Sequence, residues 1–157
     1  MNTKYLINIR PLQPSDELIM NLIKNRLAPH WQESCEEIDE HYIRPSLLGG
    51  YPFIFIATTE SGEFAGNIFL GLEKNCFLNI NNQLWLNALF VPEKFRKQGI
   101  GRELVRIAEE KAQSLGFKKL YLDTVQAVGF YEKLGGWQKI GTDLWLGQTT
   151  TIMMKDI

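Results

Sequence analysis

The sequence predicts an α/β protein built on a mixed, mostly antiparallel sheet of six to seven strands, with helices on both faces. Three observations carry this prediction. Three strand-like stretches, 53–59, 64–72 and 83–91, follow one another before the longest helix, which excludes a uniformly parallel, doubly wound sheet. The strand-helix-strand run over 83–122 supplies one parallel, right-handed unit. With 157 residues and 45% apolar content, the chain suits a single domain spanning 1–157.

The elements follow in order. Residues 5–10 read as a strand closed by Pro11. Ser15 is a suitable N-cap for a helix whose apolar positions Leu18, Ile19, Leu22, Ile23 and Leu27 recur at helical spacing and which Pro29 should stop. A second helix over 33–43 has a thin apolar stripe (Cys35, Ile38, Tyr42) and an acidic face of Glu33, Glu36, Glu37, Asp39 and Glu40. A loop over 45–52 leads to a hairpin, 53–59 and 64–72, turned at Glu60-Ser61-Gly62-Glu63.

The polar segment 73–82 turns the chain again, with 76–80 assignable to either neighbouring strand. Strand 83–91 ends at Pro92, which cannot donate to a ladder. From Ile100 onward, Leu104, Val105, Ile107, Ala108, Ala112 and Leu115 form one helical face, and Gly116 is a suitable C-terminal cap. A strand over 119–122, a helix over 127–134 ended by Gly135-Gly136, and strands over 137–146 and 149–155 complete the chain.

Lys plus Arg number 17 against 18 Asp plus Glu, so the net charge of −1 gives no general attraction for nucleic acid or an anionic membrane. No run approaches the ~20 apolar residues of a membrane span, and the N-terminus has no secretory apolar region. Cys35 and Cys76 lie far apart without metal-ligand spacing, so they read as reduced thiols of a cytoplasmic protein and no metal site is expected.

Residues 91–102 join the apolar strand to the longest helix through two glycines, a pattern suited to cradling a polyanion on the first helical amides. A dinucleotide fingerprint would need glycine at position 104, where Leu stands. A P-loop would need Gly-Lys-Ser/Thr, where Gly101-Arg102-Glu103 stands. An ordinary glycine turn into a helix is the plain structural alternative.

The wider pattern is more specific. Leu89-Phe90-Val91-Pro92 followed by Arg96-Lys97-Gln98-Gly99-Ile100-Gly101 resembles the acetyl-CoA-binding motif Gln/Arg-x-x-Gly-x-Gly/Ala of the GCN5-related N-acetyltransferase (GNAT) family. Phe130-Tyr131-Glu132-Lys133-Leu134-Gly135 is similar to that family's second signature. The resemblance implies the GNAT fold, acetyl-CoA as cosubstrate, an amine acceptor (a small molecule or a peptide N-terminus), and direct transfer in a ternary complex by a monomer or homodimer.

It also implies roles for residues. The amides of Gln98, Gly99, Ile100, Gly101 and Arg102 would hold the pyrophosphate, with Lys97 and Arg102 adding charge and Arg96 either touching a phosphate or simply solvated. Leu89, Phe90 and Val91 would carry the pantetheine arm, with an amide at or beside Leu89 facing the thioester oxygen. Tyr131 is the candidate general acid; its alternative is a packed aromatic, while Phe130, Leu134 and Trp137 read as core.

Many members carry a glutamate on the strand before the cradle, but this strand has none. Asn87 is therefore a candidate to position a water as base, or it serves only a strand-edge bond. The direct connector Asp123-Thr124-Val125-Gln126-Ala127 is locally similar to protein N-terminal acetyltransferases of the actin-modifying type, and makes Thr124 and Gln126 candidate contacts. On the acceptor side, the acidic face of 33–40 either attracts a cationic amine or is merely solvated, and Trp31, His41, Tyr42 and Trp145 are candidate cleft residues. Two other functions fit the same pattern: a CoA-binding module without turnover, and acyl transfer to a hydroxyl or with a longer chain.

Overall fold

The computed structural model describes residues 4–75 and 80–157. Its elements are β1 (Ile7–Pro11), α1 (Glu17–Trp31), α2 (Cys35–Ile38), a π-helical turn (Asp39–Ile43), α3 (Arg44–Leu47), β2 (Phe53–Thr59), β3 (Phe64–Asn75) and β4 (Ile80–Phe90). A 3-10 turn (Glu93–Phe95), α4 (Ile100–Ser114), β5 (Lys119–Thr124), α5 (Val128–Leu134), β6 (Gln138–Trp145) and β7 (Gln148–Asp156) follow. The strands form a seven-stranded sheet of order β1-β2-β3-β4-β5-β7-β6.

The expected parallel pair is β4 with β5, in a register of Leu84–Leu86 against Leu120–Leu122. The pairs β1–β2, β5–β7 and β6–β7 are antiparallel. Leu146 and Gly147, both at positive φ, make the two-residue turn between β6 and β7, with Trp145 opposite Gln148. Of the stretch 76–80, assignable by sequence to either neighbouring strand, Ile80 belongs to β4 and residues 76–79 lie outside the described residues.

The chain forms two compact units. One comprises the residues up to Phe69 together with 88–104; the other comprises 70–87 and 105–157. In the first, Ile19, Met20, Ile23 and Leu27 of α1 pack with Ile38, Ile43, Ile54, Ile56 and Phe69. Leu18 and Leu22, expected on that same stripe, instead stand 81% and 54% exposed. In the second unit, Trp85 stacks on Tyr121 with ring centroids 5.4 Å apart and packs against Ile152. Gly116 caps α4 as expected, at φ 87 and with Phe117 N–H bonded to the Ala112 carbonyl.

Three local expectations are corrected. Asp16, not Ser15, occupies the N-cap position of α1. Its carboxylate accepts from both terminal nitrogens of Arg10 (2.7 and 2.8 Å) and from Gln13 N–H (2.8 Å), so the turn is organised around Asp16 and the helix starts one residue later. Pro29 does not stop α1; it sits in the last turn, and the helix ends at Trp31, capped by Gln32, whose left-handed backbone (φ 56) directs its N–H to the Ala28 carbonyl.

The expected second helix does not end at Ile43. After a Ser34/Glu37 capping box, the ladder widens into the π turn, where Arg44 N–H bonds the Asp39 carbonyl. Pro45, which has no N–H, then falls at the start of α3, where no donor is required.

Candidate functional site

The cradle is built as a series of local constraints. After Pro92, the 3-10 turn drives Phe95 into the core, where Tyr5 meets it edge-on at 4.9 Å. Arg96 Nε donates to the Val91 carbonyl at 2.8 Å, tying the two ends of the turn together. Lys97 and Gly99 both take positive φ (60 and 84), and Ile100, buried, opens α4. The Gln98 side chain is used locally: its Oε1 accepts from Tyr5 N–H and its Nε2 donates to the Lys94 carbonyl, each at 3.4 Å.

Glu103 N–H bonds the Gly99 carbonyl at 3.1 Å. The amides of Ile100, Gly101 and Arg102 therefore precede the first i→i−4 bond of a fifteen-residue helix. A β-carbon at Gly99 would meet nothing within 4 Å, so the approach to these amides is open there. Three donors and the positive end of a helix dipole are thereby offered to an anion, with the exposed side chains of Lys97 and Arg102 beside them. Of the basic residues, Arg96 has its Nε committed to holding the loop.

Immediately upstream, one residue within β4 takes a left-handed backbone. Ala88 sits at φ 52, a left-handed conformation uncommon for a residue with a β-carbon. Its carbonyl accepts from Asn67 Nδ2 at 2.7 Å, and Asn67 Oδ1 accepts from Arg26 Nη2 at 3.2 Å. Asn67 is fully buried on β3. The Arg26 guanidinium lies 4.0 Å above the centroid of the Phe90 ring, and burial lowers its pKa to about 10.

Gly66 permits the close approach of β3 and β4, because a β-carbon there would lie 2.8 Å from the Phe90 carbonyl oxygen. Leu89, Phe90 and Val91 follow Ala88 and are half-buried. Arg26, Phe64, Phe90, Pro92 and Phe95 help line a cleft of about 850 Å3, with Leu22, Glu63, Glu93 and Lys94 completing it.

Asn67, Arg26 and Gly66 escaped the sequence reading. Asn67 had a signal, being the one polar residue in Phe64-Ala65-Gly66-Asn67-Ile68-Phe69-Leu70.

The remaining catalytic and cosubstrate candidates belong to the second unit. Asn87 is a half-buried residue of β4 with interactions of its own. Thr124 Oγ1 accepts from Ala127 N–H at 3.0 Å and so shapes the connector, while Gln126 is exposed. Tyr131 is 6% exposed on α5, with Trp137 and Phe130 rings at 5.6 and 5.0 Å. Burial, and secondarily the charge of Asp123, raise its phenol pKa well above the ordinary value. Trp137 is core as expected; Phe130 is not, at 36% exposed.

On the first unit, the acidic residues are largely engaged. Asp39 pairs with Lys24 and Arg44, Glu37 serves the capping box, and Glu33 accepts from the Tyr42 hydroxyl. Trp31 and Tyr42 pack together at 4.9 Å, and both rings lie beside Phe69. Among the described residues no group of His, Cys, Asp or Glu could hold a metal ion, and no helix is long and apolar enough to cross a membrane.

The model of the acetyltransferase (GNAT) family matches residues 17–136. Acetyltransferase Atu2258 of Agrobacterium fabrum is 41% identical over 76 residues, an alignment covering 46% of this chain and only 55% of that relative. Among solved structures, a chain of the NatC complex bound to Gag peptide and CoA is 20% identical and superposes with a TM-score of 0.75, covering 96% of this chain and 98% of its own. An aminoglycoside 6'-N-acetyltransferase complexed with coenzyme A is 18% identical, with a TM-score of 0.72 and coverage of 95% and 96%. At these identities the two structures establish the shared fold.

Proposed function

Because the chain belongs to the GNAT acetyltransferase family, we propose that it is an acetyl-CoA-dependent N-acetyltransferase, moving an acetyl group from the thioester to a primary amine by direct attack. The observation that carries this reading is the cradle: three helical amides ahead of the first internal bond, opened by Gly99 and placed downstream of a strand with a left-handed residue at Ala88. Both the NatC structure and the aminoglycoside acetyltransferase hold CoA. The free thiol of Cys35 accords with the cytoplasmic setting we assign.

The residues fit the cosubstrate. The amides from Gln98 to Arg102 receive the pyrophosphate, and Lys97 and Arg102 supply the field around it. Arg96 serves by holding the turn closed. Leu89, Phe90 and Val91 lie beyond the short β4–β5 register, and their backbone groups bond the pantetheine amides as an added strand would. The thioester supplies an activated acyl group.

The amide at or beside Leu89, fixed in direction by the left-handed backbone of Ala88, supports the negative charge that grows on the carbonyl oxygen. The amine nitrogen forms the new bond to the acyl carbon as the carbon–sulfur bond breaks. Asn87 positions the water that takes the amine proton, and Tyr131 faces the departing sulfur. Burial keeps the phenol protonated, and makes complete transfer to a thiolate of ordinary pKa ~8.5 uphill, so Tyr131 acts chiefly by donating a hydrogen bond. Thr124 and Gln126 contact the cosubstrate from the connector.

Thiol release from acetyl-CoA over a panel of primary amines tests the proposal. Amine-dependent release is expected; CoA binding without release on any amine would instead make the chain a binding module.

A further inference from the structure

Arg26 is the feature the transferase chemistry leaves unused. A guanidinium carries five N–H donors in a planar fork, and here one bond, to Asn67, is made while the face rests on Phe90. Among the described residues no carboxylate lies within ion-pair distance of it, and desolvation alone perturbs it. The other charges along the cleft differ: Glu63 and Lys94 neutralise each other as an ion pair, and Glu93 is exposed, where water screens it.

The rest of the lining is apolar, and Leu18 and Leu22 extend it along α1, at eight and four residues before Arg26. A half-buried cation without a counter-ion, set in an apolar cleft, is complementary to an anion attached to an apolar body.

We infer that this cleft binds the carboxylate of a small apolar acid on the Arg26 guanidinium; resting on the transferase reading, that acid group belongs to the amine acceptor. The position accords with such a role. Arg26 reaches the Ala88 carbonyl through a single intervening side chain, so an acid seated on it lies against the strand that turns into the cradle. The acceptor class is then an amino acid or a similar amine with a carboxylate, and not a polycation.

Isothermal titration of wild type and Arg26→Met with isovalerate, its neutral amide isovaleramide, and CoA reads the site. Isovalerate is expected to bind wild type at least tenfold more tightly than isovaleramide, and Arg26→Met to lose that preference while keeping its CoA affinity. Equal binding of the two probes, or no isovalerate binding up to about 50 mM, overturns the inference. A loss of CoA affinity with isovalerate binding intact overturns it too, assigning the cation to a CoA phosphate.

If Arg26→Met does not fold, the 15N shift of Arg26 Nε in wild type decides, moving with isovalerate and not with isovaleramide. Acetylation of L-leucine against isoamylamine tests the acceptor assignment: a tenfold preference for leucine that collapses in Arg26→Met supports it, and no preference overturns it. Arg26-dependent isovalerate binding without acetyl transfer to any amine of the panel leaves the carboxylate site standing and removes the transferase reading.

Discussion

The side chain of Asn67 donates to the carbonyl of Ala88 across 2.7 Å, and this bond holds a residue with a β-carbon in a left-handed conformation within β4. The amide is fully buried, and its oxygen is satisfied by Arg26. Removing it leaves both the Ala88 carbonyl and the Arg26 fork short of partners. Asn67→Ala should therefore lose about 2–3 kcal/mol in urea unfolding, and CoA affinity should fall with it, because the backbone after Ala88 is no longer aimed. Ala88→Gly removes the left-handed penalty of about 1 kcal/mol and should leave CoA affinity unchanged. Equal CoA affinity in Asn67→Ala and wild type would show that the Ala88 conformation directs nothing.

This bracing explains what was and was not legible beforehand. The cradle could be read because its glycines, its basic residues and the onset of an apolar helical face lie within twelve consecutive positions, and a backbone site of that kind is written locally. The parallel β4–β5 pair could be read because a strand, a helix and a strand follow one another over 83–122, and such a crossover joins parallel neighbours. The Arg26–Asn67–Ala88 chain spans α1, β3 and β4, and no periodicity links positions so far apart in sequence. Ser15 and Pro29 misled for a related reason: each is a sound local signal overruled by a partner elsewhere, Arg10 on Asp16 and the Gln32 cap beyond the proline.

Gly66 tests the closeness of β3 and β4. An added methyl would meet the Phe90 carbonyl oxygen at 2.8 Å and Leu104 Cδ1 at 3.1 Å, and the first contact is backbone that cannot rotate away. Gly66→Ala is expected to cost about 1–3 kcal/mol. Gly99→Ala meets no atom and should cost only the strain of its φ of 84, about 1 kcal/mol. Thermal melts of the two variants should rank accordingly; a Gly66→Ala melt no lower than that of Gly99→Ala would show that the strands part easily.

The Arg10–Asp16 pair gives stability a pH signature. The hydrogen bonds from Arg10, the largest cause, hold the Asp16 carboxyl below its ordinary pKa in the folded state. A folded pKa below the unfolded value stabilises the fold above the unfolded pKa of about 4, and that contribution is lost as pH falls through the folded value. Asp16→Asn should cost about 2 kcal/mol at neutral pH, and its deficit against wild type should shrink as pH drops below about 4. Urea midpoints across that range measure it, and a deficit constant with pH would mean that the charge contributes nothing.

Tyr131 separates a proton donor from a packing residue. Tyr131→Phe keeps the ring that meets Trp137 at 5.6 Å and Phe130 at 5.0 Å, so folding stability and CoA affinity should stay near wild type. Its hydroxyl is expected to contribute through a hydrogen bond to the departing sulfur, because a phenol whose pKa is raised by burial and by Asp123 gives up its proton reluctantly. The loss in kcat should therefore be roughly 10- to 100-fold, the scale of one hydrogen bond to a charged group, and short of the ~10⁴-fold upper range for general acid catalysis. The same raised pKa fixes the sign of the pH dependence: Tyr131 stays protonated up to and beyond pH ~10, so wild-type kcat should show no basic limb from this group, and any limb near pH 8–9 must persist in Tyr131→Phe. A limb that disappears in the variant would place the phenol pKa within the working range and assign Tyr131 full proton transfer.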